Sequence, residues 1–70
     1  YFADAARLII DKEKGSIGML QRYFKIGFNR AARIMDQLAE AGVVGEEQGT
    51  KPREILMSQE QFEQYIEEYL

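Results

Sequence analysis

Two glycine-bearing breaks, Gly15-Ser16-Ile17-Gly18 and Ile26-Gly27, cut the N-terminal part of this chain into three short runs of apolar residues at helical spacing. Before the first break, Phe2, Ala5, Ala6, Ile9 and Ile10 recur with Asp4, Arg7, Asp11 and Lys12 opposite. This pattern predicts an amphipathic helix that ends near Lys14-Gly15, with the glycine as its stop. Between the breaks, Met19, Leu20, Tyr23 and Phe24 predict the buried side of a two-turn helix closing at Ile26-Gly27. Tyr23 and Phe24 read as core rather than stacking platforms, because Met19 and Leu20 share their face. A third helix is predicted from Asn29 to Ala41, buried through Phe28, Ala31, Ala32, Met35, Leu38 and Ala39 and terminated by Gly42.

Helix, glycine-containing turn and longer helix make the layout of a helix-turn-helix. Val43-Val44 and Glu54-Ile55-Leu56-Met57 are short runs suited to strands, and Gly45 to Arg53 between them is polar, with two glycines and the single proline. Two strands joined by such a loop predict a hairpin, which directly after the third helix would be a wing. Ser16-Gly18 is short enough to supply no more than a third scrap of extended chain. Ser58 with Gln61 three residues on has the pattern of a capping box, and Phe62, Tyr65, Ile66, Tyr69 and Leu70 give a last helix one apolar face. The expected fold is α+β, mainly α: a winged helix-turn-helix with a three-helix core, a β-hairpin wing and a C-terminal helix, forming one domain over residues 1–70.

Composition narrows the function. A chain of 70 residues with 46% hydrophobic content and eight aromatic rings can bury one compact core. It has no cysteine and no histidine, so disulfides, thiolate nucleophiles, imidazole bases and the two commonest transition-metal ligands are excluded. No metal or other cofactor is expected, nor is any catalytic residue marked. No apolar run approaches the roughly 20 residues of a membrane-spanning helix, and direct membrane contact is not expected. The start at Tyr1 with immediate helical patterning reads as a module excised from a longer protein.

Charge is segregated. The net charge is -3, yet Lys14 to Met35 carries five basic side chains, Lys14, Arg22, Lys25, Arg30 and Arg33, and no acidic one. Ser58 to Leu70 holds Glu60, Glu63, Glu67 and Glu68 and no base. The basic segment has the footprint of a surface that meets an anion, and its helical spacing points to nucleic acid. At 100° per residue, Asn29, Arg33 and Asp36 fall within about 60° of one another on the third helix, flanked by Arg30 and Gln37. Arginine can bond guanine with two hydrogen bonds, asparagine can do the same for adenine, and a carboxylate can accept from cytosine. The bland alternative is an ordinary exposed face in which Arg33 and Asp36 form an i, i+3 pair. Arg22 and Lys25 are candidates to clamp phosphates, because the second helix of such a motif crosses the backbone. Lys51 and Arg53, beside Gly49 and Thr50 in the wing, are further candidates for phosphate contact; Glu46 and Glu47 keep open the alternative of a loop tip made soluble by charge.

The run MLQRYFKIGFNRAARIMDQLAEAGVVG followed by GTKPREIL resembles the C-terminal gamma domain of the FtsK/SpoIIIE bacterial DNA translocases over nearly the whole chain. The combination of LQR, IGxxRAAR and KPRE carries the resemblance. It implies a parent that is a membrane-anchored, hexameric, ATP-driven motor moving double-stranded DNA in division or sporulation. The gamma domain of that family recognises short polar chromosomal sequences of the KOPS or SRS type, which set the direction of translocation. The resemblance maps Asn29, Arg33 and Asp36 to base contacts and Arg30 to a phosphate or supporting contact. Asp36 stands where better-known members have Glu, one methylene longer, and Phe28 replaces a usual Tyr. Implied partners are double-stranded DNA, the motor domain of the same parent chain and, in some relatives, a tyrosine recombinase. No GxxxxGK[ST] phosphate loop occurs in these residues, so nucleotide hydrolysis is expected elsewhere in the parent. A protein-docking winged helix, using the same surface or the acidic last helix, is the alternative from another class.

Overall fold

The computed structural model describes residues 1–49 and 51–69; Thr50 of the expected wing and Leu70 of the expected apolar face lie outside the described residues. The domain is mainly helical, with α1 at Phe2–Lys12, α2 at Ile17–Phe24, α3 at Phe28–Glu40 and α4 at Gln59–Tyr69. Each helix end has an identifiable cause. The stop of α1 is Glu13, in the left-handed region at φ 57°, where its N–H donates to the Ile10 carbonyl and that of Lys14 to Ile9. This corrects the expected glycine stop, and Gly15 has a different duty, described below. The second helix starts on Ser16, whose hydroxyl accepts from the Met19 N–H at 3.3 Å. It ends on Lys25, also left-handed at φ 56°. Gly42, at φ 84°, ends the third helix as the pattern predicts. Ser58 and Gln61 close a reciprocal capping box: the Ser58 hydroxyl accepts from Gln61 N–H at 3.1 Å and the Gln61 side chain accepts from Ser58 N–H at 2.8 Å.

The core gathers Ala5, Ala6, Ile9 and Ile10 of α1, Leu20 of α2, Ala31, Ile34, Met35 and Leu38 of α3, Val43 and Val44 after it, and Phe62 of α4. Burial of Leu20, Met35, Leu38 or Phe62 stabilises the fold by roughly 1.5–3 kcal/mol each. Helix α1 packs against both α3 and α4, while α2 packs on α3. Across the α1–α4 seam, Arg7 holds Glu63 through hydrogen bonds of 2.8 and 3.1 Å. The Gln59 side-chain amide donates to the Arg7 carbonyl at 2.9 Å, so the first turn of α4 is anchored at the same place.

Three aromatic positions expected in the core are exposed. Tyr23 is 65% exposed: Leu20 and Phe24 take the inward side of α2, and a residue one step before Phe24 lies about 100° round the helix. Phe28 is 59% exposed, because the buried arc of α3 centres on Ala31, Ile34, Met35 and Leu38 and the first residue of the helix lies beyond its edge. Ile34, unassigned by the sequence reading, is buried in its stead. Tyr69 is exposed near the end of α4, where Phe62 is the fully buried side chain and Tyr65 and Ile66 pack partly against the core.

Between α3 and α4 the described residues form isolated antiparallel bridges and no continuous strand: Val44 with Ile55, Gln48 with Lys51, and Gly15 with Arg53. The Gly45 N–H donates to Glu54 at 2.9 Å, Leu56 to Val43 at 2.8 Å and Arg53 to Gly15 at 3.1 Å. The pairing at Gly15 cannot lengthen, since Ser16 already caps α2 and Pro52 has no N–H to donate. Chain reversal and pairing are therefore present at the expected places, while extended ladders are not. The extended segment expected at Ser16-Gly18 is not there: Ser16 caps α2 and Ile17 and Gly18 are its first residues, so the one paired residue in this stretch is Gly15, ahead of it.

Candidate nucleic-acid interface

Helices α2 and α3 are joined by Lys25, Ile26 and Gly27 alone, so they meet as a helix, a three-residue turn and a helix. The face of α3 opposite its core residues carries Asn29, Arg33 and Asp36 in one exposed stripe, with Arg30 and Gln37 beside it, all of them exposed. Among the described residues, Arg22, Lys25, Arg30, Arg33 and Lys51 form no ion pair. Their charge is uncompensated at close range, whereas Glu63 of the acidic helix is held by Arg7. The Arg7 guanidinium, by hydrogen bond and then by charge, draws the Glu63 carboxyl below the ordinary glutamate range, and Glu63 in turn raises Arg7.

Each cation sits differently. Arg22 folds back along α2, its Nη1 lying 3.3 Å from where a β-carbon on Gly18 would stand. Lys25 occupies the left-handed turn itself. Arg30 places its guanidinium 5.1 Å from the ring centre of Tyr1, a cation–π arrangement. Tyr1 also lies 4.9 Å from the Phe24 ring, and Phe24 lies 5.0 Å from Tyr23. Lys51 stands on the loop side of a groove of about 450 Å³ whose other walls include Ser16, Gly18, Phe28 and Ala32. Phe28 thus lines an open groove and does not fill the core.

Arg53 is set apart from these cations. Its side chain is 12% exposed and its Nη2 donates to Asp36 Oδ1 at 3.2 Å, while the Asp36 side chain is 69% exposed. The ion-pair partner of Asp36 is therefore Arg53 and not Arg33. No local signal in the sequence announces this contact, since the two residues are 17 positions apart and Arg53 is bridged to Gly15, outside α3. That glycine admits it. A β-carbon there would lie 2.7 Å from the Arg53 carbonyl oxygen and 2.9 Å from Arg53 Cβ. Among the described residues no group of His, Cys, Asp and Glu could hold a metal ion, and no helix is long and apolar enough to cross a membrane.

These features define a small, mainly helical domain built around a helix-turn-helix, with cations in both helices of that motif and its turn that form no ion pair among the described residues. Its sequence carries the identification further. The family model described as "Ftsk gamma domain" matches residues 1–58, and the chain belongs to the FtsK gamma domain family. It is 53% identical over 55 residues to a DNA translocase FtsK of Lactiplantibacillus plantarum, covering 79% of this chain and 7% of that protein. To the DNA translocase SpoIIIE of Bacillus subtilis it is 46% identical over 63 residues, covering 90% of this chain and 8% of the relative. A DNA translocase FtsK of Chlorobaculum tepidum is 46% identical over 59 residues, covering 84% of this chain and 7% of that protein. The chain thus spans less than a tenth of the length of these relatives.

Proposed function

We propose that this domain is a winged helix-turn-helix that binds double-stranded DNA and reads short polar chromosomal sequences, of the KOPS or SRS type, to orient an ATP-driven DNA translocase. The observation that carries the reading is the exposed stripe of α3 together with Arg22, Lys25, Arg30, Arg33 and Lys51, which form no ion pair among the described residues. Helix α3 enters the major groove, with Asn29 and Arg33 bonding base edges and Asp36 accepting from a cytosine amino group. Arg22, Lys25, Arg30 and Lys51 neutralise phosphates, and the bridged loop between Val43 and Met57 serves as the wing. In this reading the ATPase belongs to a motor domain of the same parent chain, anchored at the bacterial membrane, and a tyrosine recombinase is a second partner of the domain. Several gamma domains brought to one site would add avidity to the few contacts each can make.

The test is fluorescence anisotropy of the domain with a labelled duplex carrying a G-rich site of this type and with its scramble, at two salt concentrations. Tighter binding to the site, with log K falling by about 0.9 per phosphate neutralised for each unit of log salt, supports the reading. Arg33→Ala is expected to relax sequence preference, while Arg22→Ala and Lys51→Ala weaken binding to all duplexes alike. Equal loss of cognate and scrambled binding on Arg33→Ala defeats the base-reading assignment. Absence of binding to either duplex shifts the weight to protein docking.

A further inference from the structure

We infer that Arg53 is a positioning residue for Asp36, holding that carboxylate in a neutralised, oriented state from which it can read a base; this rests on the reading of the domain as a sequence reader. The two side chains are unequally placed. Arg53 is 12% exposed, while Asp36 is 69% exposed on the α3 stripe, and the contact between them uses a single oxygen, Oδ1. The other carboxylate oxygen, Oδ2, is left to accept from a donor that approaches α3 from outside.

Two physical demands are met by this arrangement. A carboxylate that approaches a phosphate-lined groove is repelled unless a cation accompanies it. A short side chain also gains selectivity when its rotamer is set before binding, because less freedom is lost on contact. Arg53 supplies both, and the backbone keeps it in place. Its N–H donates to the Gly15 carbonyl at 3.1 Å, Pro52 precedes it, and residue 15 has no side chain to push it off. An Arg53 that left to clamp a phosphate would break the pair with Asp36 and leave the carboxylate uncompensated. The geometry therefore sets Arg53 apart from Arg22, Lys25, Arg30 and Lys51, and its contribution is to discrimination and not to general affinity.

The experiment compares wild-type protein with Arg53→Gln, Arg53→Lys and Asp36→Asn by anisotropy, on duplexes in which each position of the preferred site carries each of the four base pairs, at several salt concentrations. Circular dichroism melts confirm that each variant folds. Arg53→Gln is expected to lose roughly tenfold discrimination, at the same single base pair where Asp36→Asn loses it. The salt slope should be unchanged, and the double variant no worse than either single one. Arg53→Lys, which keeps the charge without the planar fork, should recover part of the discrimination, and it carries the test if Arg53→Gln does not fold. A salt slope that falls by about one in Arg53→Gln, with every base preference retained, makes Arg53 a phosphate contact and overturns the inference alone. A wild-type domain that binds all duplexes equally overturns the sequence-reading proposal and this inference with it.

Discussion

Gly15 and Arg53 approach so closely that a β-carbon at residue 15 would stand 2.7 Å from the Arg53 carbonyl oxygen. Backbone lies on both sides of this approach, so no flexible side chain can give way. Gly15→Ala is therefore expected to destabilise the domain by about 1–3 kcal/mol, the usual range for overpacking, as measured by urea titration followed by circular dichroism. An unchanged midpoint would mean that the bridge between these residues opens without cost.

Phe28 and Ile34 test which side of α3 faces inward. Ile34→Ala is expected to cost about 2–4 kcal/mol as a buried truncation, a large share of the roughly 4–10 kcal/mol that a domain of this size possesses. Phe28→Ala, at an exposed ring, should stay within about 0.5 kcal/mol of wild type. Thermal melts of the two variants settle the order, and the reverse result would put Phe28 in the core after all.

Helix α3 was legible because its periodic residues run long enough to define an arc, and Gly42 marks its end. The exposure of Tyr23 and Phe28 is not legible in spacing for a physical reason: on a two-turn helix or at a helix end, one aromatic at the border of the apolar arc is not distinguished by spacing from its buried neighbour. Glu13 and Lys25 take the left-handed stops that glycines nearby were expected to supply, since non-glycine residues can adopt that conformation at modest cost when the following N–H groups find carbonyls. Of the site, the stripe of Asn29, Arg33 and Asp36 follows from helical geometry. The pairing of Asp36 with Arg53 does not, because it depends on how the loop folds back across Gly15.

The Arg7–Glu63 pair makes one pH dependence specific. Glu63 is held below the ordinary glutamate value by the Arg7 hydrogen bond and charge, so its contribution is fully present above the unfolded-chain value of about 4.3 and is lost as the pH falls through the lower folded value. The stability difference between wild type and Glu63→Gln should accordingly be constant near neutrality and shrink in acid. Urea midpoints of both proteins from pH 7 down to pH 3, roughly spanning that window, check it. A difference that does not vary with pH would assign the pair no electrostatic role.

The capping box isolates the start of α4. Ser58→Ala removes the hydroxyl that accepts from Gln61 and is expected to cost about 1 kcal/mol. Since Phe62, one turn on, is buried in the shared core, the loss should appear in the single cooperative unfolding transition. Fraying of α4 seen by hydrogen exchange without any shift of the main transition would show that this helix opens independently.

The small side chains Ala5, Ala6 and Ala31, buried where α1 and α3 pack, give the domain a frame that is independent of its lettering. Nothing on the outward stripe of α3 is needed to keep that frame together, so Asn29, Arg33 and Gln37 can be rewritten at a stability cost within about 0.5 kcal/mol each. Asp36 is the exception, tied as it is to Arg53. Stability leaves the first three residues free to vary and ties Asp36 to Arg53, so that those two change as a unit.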